Sequence, residues 1–171
     1  MSIIDTSDFG TGKYELYTGM YDAGKINSYI TKYEVRYLTE LLGTDLYLLF
    51  AADLIAGGGT PLEPRFLVIF NALSFDWCHR VVFSDGMREM LTGFIYYEYT
   101  KDQIVQMTPL GNVRPVGENS EVAGSLYTQI YNRYNEGVKA YRAIQTYICD
   151  NPESYDYSDF NGVKKGLVTW L

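Results

Sequence analysis

A stripe of apolar and aromatic side chains from about Glu121 to Cys149 constrains the fold of this chain most strongly. Its members recur every three or four residues, which is the spacing of one face of an α-helix that packs against other elements. Ser120 starts the run, and Asn151-Pro152 ends it, because the residue before a proline disfavours helical backbone. The spacing predicts one long helix whose stripe consists of Tyr127, Tyr131, Tyr134, Val138, Tyr141, Ile144 and Ile148.

Two more helices are predicted near the N-terminus, over Lys25 to Leu42 and over Asp45 to Ala56. Both carry apolar residues at helical spacing. Gly43 ends the first helix, since glycine adopts left-handed backbone conformations at little cost, and Thr44 is a suitable N-cap for the second. Two helices joined so closely are expected to form an αα-hairpin.

The middle of the chain has a less regular pattern. Thr60 to Glu63 has the form of a capping box with proline at N1 and glutamate at N3, which predicts a short helix that starts at Pro61 and runs through Phe70, although Arg65 to Phe70 could also form a strand. Residues 71–83 lack a clean period, and their last part is expected to be a short extended piece. Ser84 is predicted to cap a further helix over Asp85 to Gln103.

The remaining segments are predicted to be arms and a loop. Residues 1–24 and 151–171 are interpreted as extended terminal arms around a helical domain over 25–150, with disordered tails as the alternative. Residues 107–119 hold two prolines, two glycines and two asparagines and predict a long loop. The predicted fold class is mainly α: a helical bundle with an N-terminal αα-hairpin, one long C-terminal helix, a long loop and extended arms.

Tyrosine is the unusual part of the composition. The chain of 171 residues has 17 Tyr, against 8 Phe and 2 Trp. A tyrosine ring packs like an apolar side chain, but its hydroxyl needs a polar partner, and the residue is enriched where proteins meet partners. Two interpretations of the tyrosine stripes stay open: a core of the chain itself, or a core that continues into a subunit interface.

Charge, cysteines and motifs limit the function classes. A net charge of −7 is unfavourable for a protein that binds nucleic acid through its phosphates. Cys78 and Cys149 fit no metal or redox spacing and are expected to be reduced, mostly buried thiols. No secretory signal or membrane-spanning stretch is recognised. We expect neither a cofactor nor an enzymatic activity; the alternative is a small regulatory or enzymatic module with a pocket around Asp76, Cys78 and His79.

Three segments resemble a known family. They are YITKYEVRYLTELLGTDLYLLF (Tyr29 to Phe50), SDGMREMLTGFIYYEYTKDQ (Ser84 to Gln103) and TPLGNVRPVGENSE (Thr108 to Glu121). In their residues and in their order along the chain, they are similar to the head–tail connector, or neck ring, proteins of crAss-like bacteriophages. The resemblance covers about residues 25–150. The matching positions are Tyr33, Leu41, Leu42, Gly43, Leu46, Ser84, Gly86, Met90, Leu91, Tyr97, Tyr99, Gly111, Val113, Glu118, Asn119 and Ser120.

The resemblance implies a virion structural protein, made in the host cytoplasm and located in the neck between capsid and tail. Such proteins form a closed ring, commonly of twelve copies, below the portal protein of the DNA-filled capsid. The ring meets the tail or a second neck ring, no membrane is involved, and DNA passes through its channel without specific binding. A tail-completion or tail-terminator protein of the same neck is the alternative.

Interface residues are expected on the long helix, in the loop and in the C-terminal arm, because ring interfaces use aromatic anchors. The segment SFDWCHRVVF departs from the family pattern, in which we expect a more acidic loop. The predicted interface set is Tyr127, Tyr131, Tyr134, Tyr141, Thr108, Gly111, Asn112, Val113, Arg114, Glu118, Asn119, Tyr155, Tyr157, Phe160 and Trp170.

Overall fold

Helices dominate the chain in the computed structural model, which describes residues 2–16, 22–104, 106–108, 111–113, 126–155 and 160–168. The mainly α fold class is confirmed. The helices are α1 (Ala23–Leu42), α2 (Thr44–Ala56), α3 (Pro64–Phe70), α4 (Gly86–Ile104) and α5 (Leu126–Asp150). The strands form two antiparallel hairpins: β1 (Leu73–Trp77) with β2 (Arg80–Ser84), and β3 (Gln106–Thr108) with β4 (Gly111–Val113).

The core lies between α1, α4 and α5. The last two helices approach closely at Gly137, where a Cβ atom would lie 2.9 Å from the ring of Phe94. Side chains from all three helices fill the space between them, as expected for amphipathic helices. The fully or almost fully buried residues include Ile26, Ile30, Leu38, Leu41, Met87, Met90, Leu91, Phe94, Ile95, Val138, Ile144 and Ile148.

The predicted N-terminal helix pair is present. Gly43, between α1 and α2, has a φ of 82°, a backbone conformation that residues with a side chain rarely adopt. Its N–H donates a hydrogen bond to the carbonyl of Thr39 at 2.8 Å. The predicted cap was wrong: Thr44 is the first residue of α2, and no side chain caps this helix.

The predicted capping box before α3 was also wrong. This helix begins at Pro64, and no side chain caps it. Instead, Asp53 of α2 accepts hydrogen bonds from the backbone N–H groups of Leu62 at 2.9 Å and Glu63 at 3.0 Å. The backbone N–H groups before α3 are therefore bound by a carboxylate of α2, and not by the side chains of Thr60 to Glu63.

Residues 73–84 form an antiparallel hairpin: the short extended piece predicted over His79 to Phe83 is confirmed as β2, whereas its partner β1 was not predicted. Cys78 and His79 form its two-residue turn, with φ values of 48° and 62°. Such turns normally contain Asn-Gly or another pair that tolerates positive φ. Because neither residue is a usual turn residue, no hairpin turn could be predicted at this position.

The N-terminal segment packs onto the helices and contains two 3₁₀ turns, Thr6–Phe9 and Gly12–Tyr14, where an extended arm was expected. Buried Glu34 of α1 accepts hydrogen bonds from the backbone N–H groups of Ile3 at 3.0 Å and Ile4 at 3.4 Å. These contacts hold the first residues against α1. The segment buries Ile3, Ile4, Phe9, Tyr14 and Leu16.

The C-terminal strap, defined here as residues 160–168, lies across α5 and the end of α1. The N–H of Val163 donates to the carbonyl of Glu40 at 2.6 Å. Asn135 donates to the carbonyl of Val168 and accepts from its N–H, each at 2.9 Å. The strap is therefore attached to the helical body along its length, and the division of the chain into arm, domain and arm stays a prediction.

Candidate interaction surfaces

Two of the predicted interface tyrosines lie inside the chain's own core. Tyr141 is 0% exposed and Tyr155 is 1% exposed. The hydroxyl of Tyr141 lies 2.6 Å from the carbonyl oxygen of Glu40 and 2.5 Å from that of Val163, and the hydroxyl of Tyr155 donates to the carbonyl of Arg65 at 2.5 Å. This placement argues against the interface role predicted for both rings.

The other described tyrosines of the α5 stripe are half-buried. The ring centroid of Tyr134 lies 5.1 Å from that of Phe94 and 4.7 Å from that of Tyr97, and Tyr131 lies 5.8 Å from Tyr97. Burial raises the pKa of Tyr97 to about 12, and the phenol of Tyr131 contributes to that rise. These rings join α4 to α5 and leave part of their surface open.

The tyrosines of α1 connect this helix to α4. Tyr29 donates to a carboxylate oxygen of Asp102 at 2.6 Å, and Tyr37 donates to one of Glu98 at 2.7 Å. Burial raises the pKa of Tyr37, and the acceptor carboxylate raises it further. The hydroxyls that make tyrosine useful at interfaces are thus satisfied within the chain here, which favours the core interpretation for this stripe.

The remaining predicted interface residues are in three places. Thr108, Gly111, Asn112 and Val113 lie in the hairpin of β3 and β4, where Thr108 pairs with Gly111. Phe160 is half-buried at the start of the strap and packs against the core. The others fall outside the described residues: the side chain of Tyr127, and Arg114, Glu118, Asn119, Tyr157 and Trp170.

Asp76, Cys78 and His79, the centre of the alternative enzymatic module, are all exposed on the first hairpin. Cys149 is exposed as well, so the prediction of mostly buried thiols was wrong. Within the described residues, no group of three His, Cys, Asp or Glu side chains is placed to hold a metal ion.

The first open apolar surface belongs to α2. One side of this helix is buried through Leu46, Phe50 and Leu54, but Leu48 and Ile55 on another side are 59% and 65% exposed. We call the exposed set the α2 face. Leu62 is 64% exposed and adjoins it, since a Cβ atom on Gly57 at the end of α2 would lie 3.1 Å from Leu62. The α2 face comprises Leu48, Leu49, Ala52, Ile55, Ala56 and Leu62.

The second open apolar surface is the outer side of the first hairpin. Ser74 pairs with Phe83 and Asp76 pairs with Val81, so these four side chains share one side of the ribbon. Phe83 is 68% exposed and Val81 is 56% exposed. We call this set the hairpin face. The opposite side packs on α5, where the ring of Phe75 meets that of Tyr147 at a centroid distance of 5.2 Å.

A cleft adjoins the hairpin at Trp77, which is 43% exposed. The cleft has a volume of about 510 Å³ and lies between the hairpin, α5 and the strap. Arg142, Lys164 and Cys149 contribute to its wall. Because Trp77 shares its side of the ribbon with Phe75, the cleft lies on the side that packs against α5, opposite the hairpin face.

Comparisons with protein-family models, with curated proteins and with solved structures find no match for this chain. In the described part of the chain, none of the helices combines the length and the apolar character that a membrane crossing requires. The functional argument therefore starts from the two open apolar surfaces and from the three segments that resemble connector proteins.

Proposed function

We propose that this chain is a structural subunit of a bacteriophage virion. Copies of it form a closed head–tail connector ring, with twelve as the expected number. The ring joins the portal of the DNA-filled capsid to the tail and extends the DNA channel. The protein acts as a scaffold in the virion neck and has no enzymatic role.

The pair of unlike apolar surfaces is the observation that carries the proposal. A soluble monomer gains nothing from exposing Phe83, Leu48 and Ile55, because apolar surface in water costs about 25 cal/mol per Å². A ring built from identical subunits requires two different surfaces on each copy, one for each neighbour. The α2 face and the hairpin face supply two such surfaces.

The resembling segments supply the biological setting. They coincide with α1 and α2, with α4, and with the region of β3 and β4. The first two include helices that build the core, so the resemblance involves the body of the protein. The net charge of −7 agrees with a channel through which DNA slides without being held.

Removal of the gene from the phage that encodes this chain tests the proposal. We expect DNA-filled capsids without attached tails, and infectious particles again when the wild-type chain is supplied in trans. Quantitative mass spectrometry of purified virions should find the chain in the same copy number as the portal protein.

Absence of the chain from purified virions would overturn the proposal. Binding of the purified chain to the tail protein but not to the portal protein would favour the tail-completion alternative. A matched control is a complementing chain with the exposed α1 substitution Val35→Gln, which lies outside both apolar faces and should restore infectivity fully.

A further inference from the structure

We propose that the cleft between the first hairpin, α5 and the strap binds a mononucleotide. The base stacks on exposed aromatic rings of the cleft, and the phosphate pairs with basic side chains around it. This inference goes beyond the connector proposal, because it concerns a small ligand of the single subunit and needs no second copy of the chain.

The cleft has the size of a small-molecule site. Its volume is about 510 Å³. Sites for small ligands commonly span about 300–1,000 Å³, which includes ligands of the size of a mononucleotide. The hairpin contributes Trp77 to the wall, the strap contributes Phe160, and α5 contributes Gln145 and Thr146. Three elements therefore enclose a space for one small molecule.

Positive charge without an ion-pair partner borders the cleft on all three elements. Arg142 of α5 and Lys164 of the strap line it. Arg80 pairs with Trp77 across the hairpin, so its side chain lies on the same side of the ribbon as the cleft. None of these three cations makes an ion pair within the described residues. Such a concentration of free cations is notable in a chain with a net charge of −7.

The guanidinium of Arg142 is oriented with its outer edge open. Its Nε donates to the carbonyl of Lys165 at 2.7 Å, and this bond leaves Nη1 and Nη2 without a partner in the described part of the chain. Two nitrogens of one guanidinium bind two phosphate oxygens side by side, a geometry that favours arginine at phosphate sites. The ammonium of Lys165 also lines the cleft, but it is already paired with Glu40.

The balance of charge favours a phosphate over a single carboxylate. Asp150 is the one acidic residue that lines the cleft within the described part of the chain. Against the three free cations it leaves a surplus of two positive charges. A phosphate monoester carries a charge of about −1.5 to −2 at pH 7, whereas a carboxylate carries only one negative charge. A phosphate therefore neutralises this surplus more completely.

Exposed aromatic rings provide the surface on which a base stacks. Trp77 is 43% exposed, and Phe160 is half-buried on the strap. Bases stack on such rings whatever their sequence identity, because every base has a π face. We therefore expect the cleft to accept nucleotides with different bases.

The charge of the whole chain favours a mononucleotide over a nucleic-acid strand. A strand binds by having several phosphates neutralised at once, and each of them needs a basic side chain. The chain as a whole is acidic, so the further phosphates of a strand would be repelled outside the cleft. One base and one phosphate match what the cleft offers.

Tryptophan fluorescence reports binding directly. The chain contains two tryptophans, and a reference chain with Trp170→Phe places the signal on Trp77 alone. We expect adenosine monophosphate to quench this fluorescence in a saturable way. Adenosine without the phosphate and inorganic phosphate without the base should each bind at least about tenfold more weakly, because each makes only one of the two contacts.

Two charge variants test the phosphate contact. Lys164→Gln on the strap and Arg80→Thr on the hairpin replace exposed residues, so the unfolding midpoint should match that of the reference chain. Each should raise the Kd for adenosine monophosphate about five- to tenfold and leave the weak binding of adenosine unchanged. Lys25→Gln, in the first turn of α1 and far from the strap, removes the same charge and is the matched control.

Trp77→Leu tests the stacking contact, with isothermal titration calorimetry in place of fluorescence. Leucine keeps an apolar side chain in the cleft but removes the aromatic ring. We expect weaker binding of adenosine monophosphate and of adenosine alike, whereas the weak binding of inorganic phosphate should not change.

Four results would overturn the mononucleotide site. The first is a reference chain that does not bind adenosine monophosphate, and the second is equal binding by the reference chain and both charge variants. The third is inorganic phosphate that binds as tightly as the nucleotide. The fourth is single-stranded oligothymidylate that binds far more tightly than thymidine monophosphate and is released by salt, which would indicate a nucleic-acid surface. None of these results bears on the connector proposal, which depends on assembly.

Discussion

The hydroxyl groups of buried tyrosines attach the peripheral segments of this chain to its helices. Tyr141 reaches the end of α1 and the strap, and Tyr155 reaches α3, each through a backbone carbonyl. A phenylalanine would fill the same space but leave these carbonyls with fewer partners. These tyrosines therefore have a role within the subunit, and the proposal of assembly rests on exposed aliphatic and aromatic residues elsewhere.

Tyr141→Phe should lower the free energy of unfolding by about 1–2 kcal/mol, because it removes a buried hydrogen bond to the end of α1 and the strap. Urea denaturation of the purified chain measures the change. Tyr33→Phe is the control: its ring is largely buried, but its hydroxyl makes no hydrogen bond within the described residues, so the change should stay within about 0.5 kcal/mol. Equal effects of both substitutions would contradict the attachment role.

Alkaline titration provides a second test of the burial of individual tyrosines. Burial raises the pKa of Tyr37, Tyr141 and Tyr155 above the ordinary value of 10.0. The unfolded chain releases these protons near pH 10, whereas the folded chain retains them. Stability should therefore be complete below about pH 10 and decrease as the pH rises above it.

Ultraviolet absorbance of tyrosinate, recorded together with circular dichroism, follows this titration. A group of phenols should ionise only as the helices unfold. Ionisation of all tyrosines near pH 10 with the helices intact would show that these rings are not buried.

The interface residues could be predicted only in part at the residue scale. Helical spacing correctly placed Tyr141 on the inward stripe, but spacing cannot say whether the covering surface belongs to the same chain or to another. The exposed residues Leu48 and Ile55 were missed, since a short apolar helix looks the same whether one side or two sides are buried. The only signal was that α2 contains apolar residues outside its own stripe.

At the scale of elements, the strap is the segment whose role differs most from expectation. Its sequence mixes four apolar residues with three polar residues and two glycines and has no helical or strand period, so the pattern did not predict attachment to α1 and α5. The strap lies so close to α1 and α5 at Gly162 that a side chain would not fit. A Cβ atom at this position would overlap the carbonyl oxygen of Leu41 and lie 2.6 Å from Nε2 of Gln145.

Gly162→Ala should lower the free energy of unfolding by about 1–3 kcal/mol, because the strap must move away from the helices to accept a methyl group. Gly166→Ala, in the same strap, is the control. No atom lies within 4 Å of a Cβ atom at that position, so this change should be neutral or slightly stabilising. Thermal unfolding of both variants measures the difference, and equal midpoints would show that the strap is not held against α1.

The first hairpin contains a turn that its residues do not favour. Cys78 and His79 both have positive φ, a backbone conformation that residues other than glycine and asparagine adopt at a cost. The double substitution Cys78→Asn with His79→Gly should therefore raise the free energy of unfolding by about 1 kcal/mol. Chemical denaturation of the double variant is the measurement, and a loss of stability would contradict the turn geometry.

The elements themselves were predictable to different degrees for physical reasons. Long helices such as α1 and α5 were found because a 3.6-residue period repeats over several turns. An extended piece was predicted where β2 lies, but β1 and its pairing with β2 were missed, because the turn lacks glycine and because apolar residues on the open side break the alternation of a half-buried strand. The start of α3 was misplaced because its preceding turn is held by Asp53, which is distant in sequence.

At the scale of the whole molecule, the part of the chain that the structure describes combines a well-packed helical body with uncovered apolar faces on α2 and on the first hairpin. The terminal segments stabilise the body, so they are not free to reach neighbours along their described length. Assembly is instead expected through the faces of α2 and the first hairpin. This division separates substitutions that unfold the subunit from substitutions that prevent ring formation.

The native mass of the purified wild-type chain, alone and with its portal protein, tests the connector proposal most directly. We predict a closed oligomer of fixed copy number, twelve in the expected form, whose mass stays constant once the ring is complete. Native mass spectrometry reads the copy number. A chain that stays monomeric at all concentrations, both alone and with the portal, would contradict the proposal.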